Sequence, residues 1–265
     1  MAVIAVDDPD DPRLGVFRLN ERGLASRPQR RNDDGEGLFM AEGDLVVERA
    51  LRLGCKPIAV LVDETRPPPL VDEIPPDVPV YAGGEQMRAL VTKLGVPSAI
   101  VAVFERPART TVDQLALTAR RIVLVEAVDN PANIGAIIRN AAGLGWEGLI
   151  TDATSADPLA RRSTRVSMGH AVGFPHARAA DVPNALHALA ERGFAVVALT
   201  PAVDALDLDH VERSERIVLC VGAERVGLSE PALAAATVRA RIAMRHGVDS
   251  LNVAAATAIA CYVLR

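Results

Sequence analysis

Three short polar segments in the second half of the chain have the residue types of a ligand site. They run over Asn130–Arg139, Val221–Ser229 and Ile242–Val253. Each places Gly, Asn or Ser where an apolar strand is predicted to end and a helix to begin. The carboxyl ends of parallel strands meet at one edge of an open α/β sheet, and ligands bind in the crevice there. The spacing therefore predicts a single site built from all three segments.

The first segment combines helix-starting residues with a side chain suited to phosphate. Asn130 precedes Pro131, which disfavours a helical conformation at Asn130 and predicts a turn. Asn133 is predicted to cap the helix that follows. Arg139 lies four residues beyond Gly135 and so projects on the same helix face, and its planar guanidinium binds phosphate with two hydrogen bonds. Taken alone, this segment favours an ordinary capped helix with a solvated arginine.

The other two segments bring backbone groups towards the same predicted sheet edge. Gly222 follows a buried apolar strand, where a glycine permits a sharp turn. Ser250 or Asn252 is predicted to begin the C-terminal helix, and Thr200 ends another strand, where it is predicted to touch the ligand. A nicotinamide or P-loop protein is disfavoured, because the chain has neither Gly-x-Gly-x-x-Gly after a strand nor Gly-Lys-Ser/Thr.

Together and in this order, the three segments resemble the motifs of the SpoU (TrmH) family of RNA ribose 2′-O-methyltransferases, in the SPOUT superfamily. The matching residues are Asn133, Gly135 and Arg139, then Gly222, Glu224 and Gly227, and finally Ser250-Leu-Asn-Val253. The family's third motif begins Ile-Pro-Met, whereas this chain has Ile242-Ala-Met244, which bears on the rigidity of that loop. The resemblance is strong over residues 120–265.

The resemblance implies S-adenosylmethionine as the cofactor and gives individual residues a role. The implied catalytic residues are Arg139, Asn133, Glu224 and Asn252. The implied cofactor-binding residues are Gly222, Ile242, Met244 and Leu251, and Thr200 joins them through its place at the sheet edge. Arg139 is the central catalytic residue in this interpretation. Because a guanidinium stays protonated in proteins, it is expected to orient phosphate and stabilise a developing alkoxide rather than act as a base.

A fourth stretch, Arg165-Val-Ser167-Met-Gly169, resembles an Arg-x-Ser-Met-Gly sequence that the family carries near its substrate cleft. Arg161 and Arg162 precede it by about one helical turn. Arg161, Arg162, Arg165 and Ser167 are therefore predicted to contact RNA, since Arg–phosphate pairs are strong and position the nucleic acid. A positively charged helix end without a ligand is the alternative.

The chain is predicted to be an α/β protein with two domains. Residues 1–105 are expected to form a small α/β domain with a loose, partly extended arm over residues 7–37, and residues 106–119 a linker with a short helix. Alternating strands and helices over residues 120–265 predict a parallel sheet. The resemblance implies that this second domain holds a deep trefoil knot and forms homodimers. Phe39–Gly43 resembles part of the RNA-binding domain that precedes the catalytic domain in many family members, which implies that the first domain binds RNA. A generic α/β module used for dimer contacts is the alternative.

Composition limits the cofactors, partners and compartment. Cys55, Cys220 and Cys261 form no C-x-x-C pair, and the histidines lack metal-ligand spacing, so neither a disulfide nor a metal site is predicted. Cys220 and Cys261 lie in apolar runs and are predicted to be buried. No signal peptide or apolar run of about 18 residues is present, which predicts a cytoplasmic protein without a membrane partner. The net charge of −5 requires any RNA surface to be a local patch.

The sequence thus predicts transfer of a methyl group from S-adenosylmethionine to a ribose 2′-hydroxyl of RNA, with ribosomal RNA as the expected substrate. A transfer-RNA 2′-O-methyltransferase and a catalytically silent RNA-binding homologue are the alternatives within this family. A nucleotide-binding enzyme of ordinary doubly wound topology is the alternative outside it. A cofactor titration distinguishes the silent homologue, and an unknotted C-terminus would favour the ordinary topology.

Overall fold

The computed structural model describes residues 3–245 and 248–265 of the chain. His246 and Gly247, in the third motif, lie outside the described residues. The chain divides into two compact units. Unit 1 contains the chain up to Ala108 together with Leu159–Gly173, and unit 2 contains Arg109–Pro158 and Phe174–Arg265. Among the helices of the described ranges, none has the length and apolar character needed to cross a membrane.

The described residues 3–105 form five strands and four helices. The strands are β1 Val3–Ala5, β2 Leu38–Glu42, β3 Pro57–Asp63, β4 Val80–Gly83 and β5 Ile100–Glu105. The helices are α1 Glu21–Leu24, α2 Arg27–Arg31, α3 Asp44–Arg52 and α4 Glu85–Thr92, with 3-10 turns at Pro12–Arg18 and Pro69–Glu73.

The rest of the chain continues this alternation. Its strands are β6 Arg121–Glu126, β7 Gly148–Thr151, β8 His176–Arg178, β9 Ala195–Leu199, β10 Leu206–Asp207, β11 Ile217–Gly222 and β12 Val238–Arg241. Its helices are α5 Val112–Thr118, α6 Pro131–Gly143, α7 Arg161–Val166, α8 His170–Gly173, α9 Val182–Glu191, α10 Glu230–Ala234 and α11 Val253–Val263, with a 3-10 turn at Leu208–His210.

Unit 1 is built on a mixed five-stranded sheet with the order β1-β4-β3-β5-β2. Strands β2 and β5 pair antiparallel, and Phe39 stacks on its cross-strand partner Phe104 with ring centroids 5.3 Å apart. The prediction of a loose arm over residues 7–37 is wrong in this structure. Leu14 and Phe17 are fully buried, and Phe17 meets Tyr81 edge-on, because these isolated apolar residues anchor the polar segment on the sheet.

Unit 2 contains the parallel sheet that the sequence predicts. Its seven strands run in the order β10-β12-β9-β11-β6-β7-β8, and every paired neighbour is parallel. The central strands β6 and β11 are near-continuous apolar runs, as expected of strands covered on both faces. Glu126 lies opposite Gly222 in their register, so the first two motifs begin at the same edge of the sheet.

The helices at the two ends of unit 2, α5 and α11, both pack within it. The predicted linker contains α5, whose Leu115 is buried in the unit 2 core. Helix α11 packs against α6: Asn140 donates to the Ala254 carbonyl at 3.2 Å, and the Trp146 indole donates to the Cys261 carbonyl at 3.0 Å. The C-terminal helix and the first-motif helix are therefore held together.

Candidate active site

Side chains from all three motifs meet in one hydrogen-bonded group, the Asn133–Glu224–Asn252 trio. The Asn133 amide donates to the Glu224 carboxylate at 2.9 Å. The Asn252 amide donates to the same Glu224 oxygen at 2.8 Å and to the Asn133 amide oxygen at 3.1 Å. Because an ionised carboxylate only accepts hydrogen bonds, Glu224 suits two amide donors. The structure therefore brings together three of the four residues predicted to be catalytic.

Local sequence explains how the two asparagines reach this position. Asn252 is the N-cap of α11, and its side-chain oxygen accepts from the backbone N–H groups of Ala254 and Ala255. Its amide nitrogen is then left to face Glu224. Asn130, rather than the predicted Asn133, caps α6, because Pro131 occupies the first helical position. Asn133 lies in the first turn, and its side chain is free to reach across to the second motif.

The second motif forms a tight loop whose shape depends on glycine. A Cβ atom at Gly222 would lie 2.1 Å from the Gly227 carbonyl carbon and 2.3 Å from the Leu228 nitrogen. Gly227 has a φ of +70°, and its N–H donates to the Ala223 carbonyl at 2.8 Å. The chain thus folds back directly over Gly222, and this close approach requires a residue without a side chain.

The end of this loop is fixed to the neighbouring strand. The Ser229 backbone N–H and hydroxyl each donate to the Glu126 carboxylate at 2.8 Å. The same hydroxyl caps α10 by accepting from the Ala232 N–H at 3.3 Å. The loop that carries Glu224 is therefore held at both ends.

A cavity of about 350 Å³ opens beside the trio in unit 2. All five residues predicted to bind the cofactor line it: Thr200, Gly222, Ile242, Met244 and Leu251. Glu224 also contributes to its wall, while Leu199, Val221 and Val253 supply apolar surface. This volume is within the range of small-ligand sites, which are mostly apolar with a few polar groups. Pro201, which directly follows Thr200 at the end of its strand, also lines the cavity, as does Ala256 in α11, which no motif in the sequence marks.

Arg139 is separate from the trio. It lies on α6 with an exposed side chain, six residues after Asn133, which corresponds to about 9 Å along the helix and about 120° around it. Across the described residues, the Arg139 side chain makes no hydrogen bond or ion pair. Asn140, not Arg139, continues the helix face of Asn133. The catalytic role of Arg139 stays a prediction.

The arginines predicted to contact RNA lie in unit 1, where two of them hold a buried carboxylate. The Glu42 side chain is 1% exposed; one of its oxygens pairs with Arg161 and the other accepts from Arg165 at 3.0 Å. Arg161 also donates to the Thr92 carbonyl. Most donors of Arg161 are thus occupied within the fold, whereas Arg165 keeps half of its side chain exposed.

Arg162 and Ser167 differ in accessibility. Arg162 is exposed on α7. Ser167 is fully buried: its hydroxyl donates to the Thr164 carbonyl at 3.0 Å and accepts from the Ala171 N–H at 3.2 Å, so it joins α7 to α8. In this structure the Ser167 hydroxyl does not reach the surface, so its predicted contact with RNA would require this packing to open.

Cys220 and Cys261 are buried among apolar residues, as predicted, whereas Cys55 is partly exposed. Burial raises the pKa of the Cys220 thiol well above its usual value, and the nearby Glu126 carboxylate adds to this; burial alone does so for Cys261. Both thiols stay protonated at neutral pH and are poor nucleophiles. Separately, Asp207, Asp209 and His210 bring side-chain ligand atoms within 4.8 Å of one another, but Asp207 already accepts from Arg241 at 2.6 Å.

Comparisons with known proteins agree with this arrangement. The profile of the SpoU rRNA Methylase family matches residues 120–262. A protein of Mycobacterium bovis named an uncharacterized tRNA/rRNA methyltransferase is 41% identical over 97% of this chain and 90% of its own length. The Bacillus subtilis 23S rRNA (guanosine(2553)-2′-O)-methyltransferase RlmP is 28% identical over 86% of this chain and 88% of its own.

A solved structure extends the similarity to the whole fold. The AdoMet-bound rRNA methyltransferase of Sinorhizobium meliloti superposes with a TM-score of 0.82 and 27% sequence identity. The match covers 99% of this chain and 97% of that one. Both units of the present chain thus have counterparts in a protein crystallised with a methyl donor.

Proposed function

Because the chain belongs to the SpoU rRNA methylase family, we propose that it transfers a methyl group from S-adenosylmethionine to a ribose 2′-hydroxyl of RNA. The observation that carries the proposal is the trio Asn133–Glu224–Asn252, which joins all three motifs and whose Glu224 lines the cavity. The similarity to RlmP, named for 2′-O-methylation of 23S rRNA, and to the S. meliloti rRNA methyltransferase supports ribosomal RNA as the substrate.

The cavity fits the proposed cofactor on features of its own. Gly222 permits the close approach of the Gly227–Leu228 backbone that shapes the loop, and residues of the second and third motifs line the space. Gly222, Ile242 and Leu251 would hold S-adenosylmethionine through backbone groups, with Thr200 and Met244 beside them. S-adenosylmethionine supplies, when bound, an electrophilic methyl group on a sulfonium.

The residues of this chain would act by positioning and by electrostatics. A ribose hydroxyl is a weak nucleophile, so its alignment with the methyl group accounts for much of the rate. The trio would hold the cofactor loop in a fixed shape. Arg139 would bind the phosphate next to the ribose and stabilise the negative charge that develops on the 2′-oxygen as its proton leaves.

We extend the proposal to the assembly and its surroundings. The resemblance to the family supports a homodimer through residues 120–265 whose active site lies at or near the subunit interface. By family resemblance, residues 120–265 would contain a deep trefoil knot, and residues 1–105 would select the RNA. The protein would act in the cytoplasm, where its RNA substrate is found.

The first test is cofactor binding. S-adenosylmethionine or S-adenosylhomocysteine should bind in calorimetry and raise the melting temperature, because a ligand at about 100 times its Kd stabilises the native state by about 2.7 kcal/mol. NAD and ATP serve as control ligands and should give no effect. No heat and no thermal shift at millimolar cofactor would refute the cofactor assignment. Binding of NAD or ATP instead would favour a nucleotide-binding enzyme of ordinary topology.

The second test concerns RNA binding by unit 1. Arg165→Ala should weaken RNA affinity severalfold and reduce the salt dependence by about one phosphate contact, because the Arg165 guanidinium gives Glu42 only one hydrogen bond and keeps donors free for phosphate. Arg161→Ala should act mainly on stability. Arg161 is the more buried of the two arginines that pair with Glu42 and also donates to the Thr92 carbonyl, so its loss should lower the free energy of unfolding by about 3 kcal/mol, and more than Arg165→Ala does.

The matched control is Arg52→Ala, which also removes an exposed arginine of unit 1 that pairs with a glutamate. It should leave both RNA affinity and its salt dependence unchanged. Equal effects of Arg52→Ala and Arg165→Ala would refute a specific contact at Arg165. Substitutions are preferable to deletion of residues 1–105, because Leu159–Gly173 packs within unit 1 and would lose its environment.

A further inference from the structure

The loop that leads from β6 into the first motif has an unusual backbone conformation. Ala127, the first residue after β6, has a φ of +56°, in the left-handed region that residues with a side chain rarely adopt. Residues 127–130 connect β6 to α6, so their path determines where α6 begins and where Asn133 points. Something in the surrounding structure must hold this conformation in place.

The buried Asp152, which follows β7, provides that support. One oxygen of its carboxylate accepts from the Ala127 N–H at 3.0 Å and from the Ser155 N–H at 2.9 Å. The other accepts from the Thr154 N–H at 2.9 Å, and the Thr154 and Ser155 hydroxyls also donate to the carboxylate. Burial alone would raise the pKa of Asp152, but the hydrogen bonds from Ser155 and Thr154 hold it below its usual value. Asp152 is therefore an anion at neutral pH.

The contact extends one residue further along the loop. The Ser155 hydroxyl, oriented by Asp152, accepts from the Val128 N–H at 3.0 Å. The Val128 carbonyl in turn accepts from the Ala156 N–H at 2.9 Å. Two successive N–H groups of the loop thus depend on Asp152, directly or through Ser155. None of these residues belongs to the three motifs.

We propose that Asp152 is a positioning residue for methyl transfer: it holds Ala127 in the left-handed conformation and so fixes the approach of Asn133 to Glu224 and Asn252. The inference rests on the proposed function, and it adds a residue outside the family motifs to the machinery of the site. A positioning role for Asp152 can be distinguished from a general contribution to stability by a second substitution at Ala127. If Asp152 acts through the conformation of Ala127, a residue that adopts a positive φ without strain should partly replace it.

A double-mutant cycle tests this. Asp152→Ala should slow single-turnover methyl transfer, at saturating RNA and cofactor, by at least about tenfold, because small displacements of catalytic groups have large effects on rate. Cofactor Kd should change by less than about threefold, since the cavity is lined by other segments. Ala127→Gly alone should stay close to wild type. In the double variant, a glycine in place of Ala127 adopts a positive φ at little cost, so a substantial part of the lost rate should return.

The matched control is Asp181→Ala, which removes another carboxylate that caps a backbone N–H in unit 2, at the start of α9. Its turnover should equal that of the wild type. The proposal is overturned if Asp152→Ala turns over within about twofold of wild type, or if Ala127→Gly restores none of its rate. Should Asp152→Ala not fold, Asp152→Asn, which keeps the shape and one acceptor oxygen, takes its place in the same cycle.

Amide hydrogen exchange gives a readout that does not depend on activity. Exchange at Ala127 and Val128 should accelerate by at least about tenfold in the Asp152 variant and stay unchanged in Asp181→Ala. Unchanged exchange at both amides would refute the positioning role even if the protein is active. A wild-type protein that binds cofactor but methylates no RNA would refute the proposed function instead, and the exchange result would still decide the role of Asp152 in the loop.

Discussion

Arg139→Ala is expected to slow single-turnover methyl transfer by about a hundredfold or more, while the fold and the cofactor affinity remain those of the wild type. Losing one contact to the charge of the transition state costs about 3 kcal/mol. The substitution should leave the fold and its stability unchanged, because the Arg139 side chain is exposed and its removal disturbs no packing. Arg139→Lys should also fail substantially, because an ammonium cannot reproduce the bidentate fork.

The decisive assay uses saturating RNA and cofactor, so that the rate reports chemistry and not binding. Arg120→Ala is the matched control. It is an exposed arginine directly before β6, at the amino end of the strand, whereas the site lies at the carboxyl ends. It should turn over normally. Near-normal turnover of Arg139→Ala would remove Arg139 from the mechanism and leave it as a solvated arginine on an ordinary capped helix.

The sheet of unit 2 and the meeting of the motifs were predictable from the sequence. A strand covered on both faces is apolar along its length, and β6 and β11 are near-continuous apolar runs. A polar segment directly follows each of them. Parallel strands deliver those segments to one edge. Every residue predicted to bind the cofactor lines the cavity at that edge, and the Glu224 carboxylate accepts hydrogen bonds from the amides of Asn133 and Asn252.

The choice of helix cap was not predicted correctly, because two asparagines compete for it. Asn130 and Asn133 are equally good capping residues by type. The position of Pro131 determines which asparagine is the cap. Proline favours the first helical position, so the residue before it, Asn130, becomes the N-cap. This rule was available from the sequence, and it releases Asn133 for the contact with Glu224.

Features that depend on distant residues were beyond sequence reasoning. The short helices α1 and α2 have too few residues to be stable alone, so their segment is ordered by packing of buried residues such as Leu14, Phe17 and Leu24. Arg165 and its partner Glu42 are 123 residues apart, and no local pattern signals that pair. Asp152 lacked a motif for the same reason, since its importance lies in the φ of Ala127.

Gly222→Ala is expected to weaken cofactor binding by at least about tenfold, although it adds a single methyl group. Forcing atoms into a packed space costs about 1–3 kcal/mol, and 1.4 kcal/mol is about a factor of ten in Kd. Here the atoms in the way belong to the backbone at Gly227 and Leu228, at 2.1–2.3 Å, and cannot rotate aside. The loop must move as a whole, and it forms part of the cavity wall.

The same displacement should also reduce turnover at saturating cofactor, because the loop carries Glu224 and the amides of Asn133 and Asn252 would lose their shared acceptor. Gly143→Ala is the matched control: a Cβ there meets nothing within 4 Å, so its cofactor affinity and turnover should equal those of the wild type. Calorimetry with S-adenosylhomocysteine on the two variants decides the matter. If Gly222→Ala binds as tightly as Gly143→Ala, the loop is not the cofactor cradle, and the cavity beside the trio must serve another ligand.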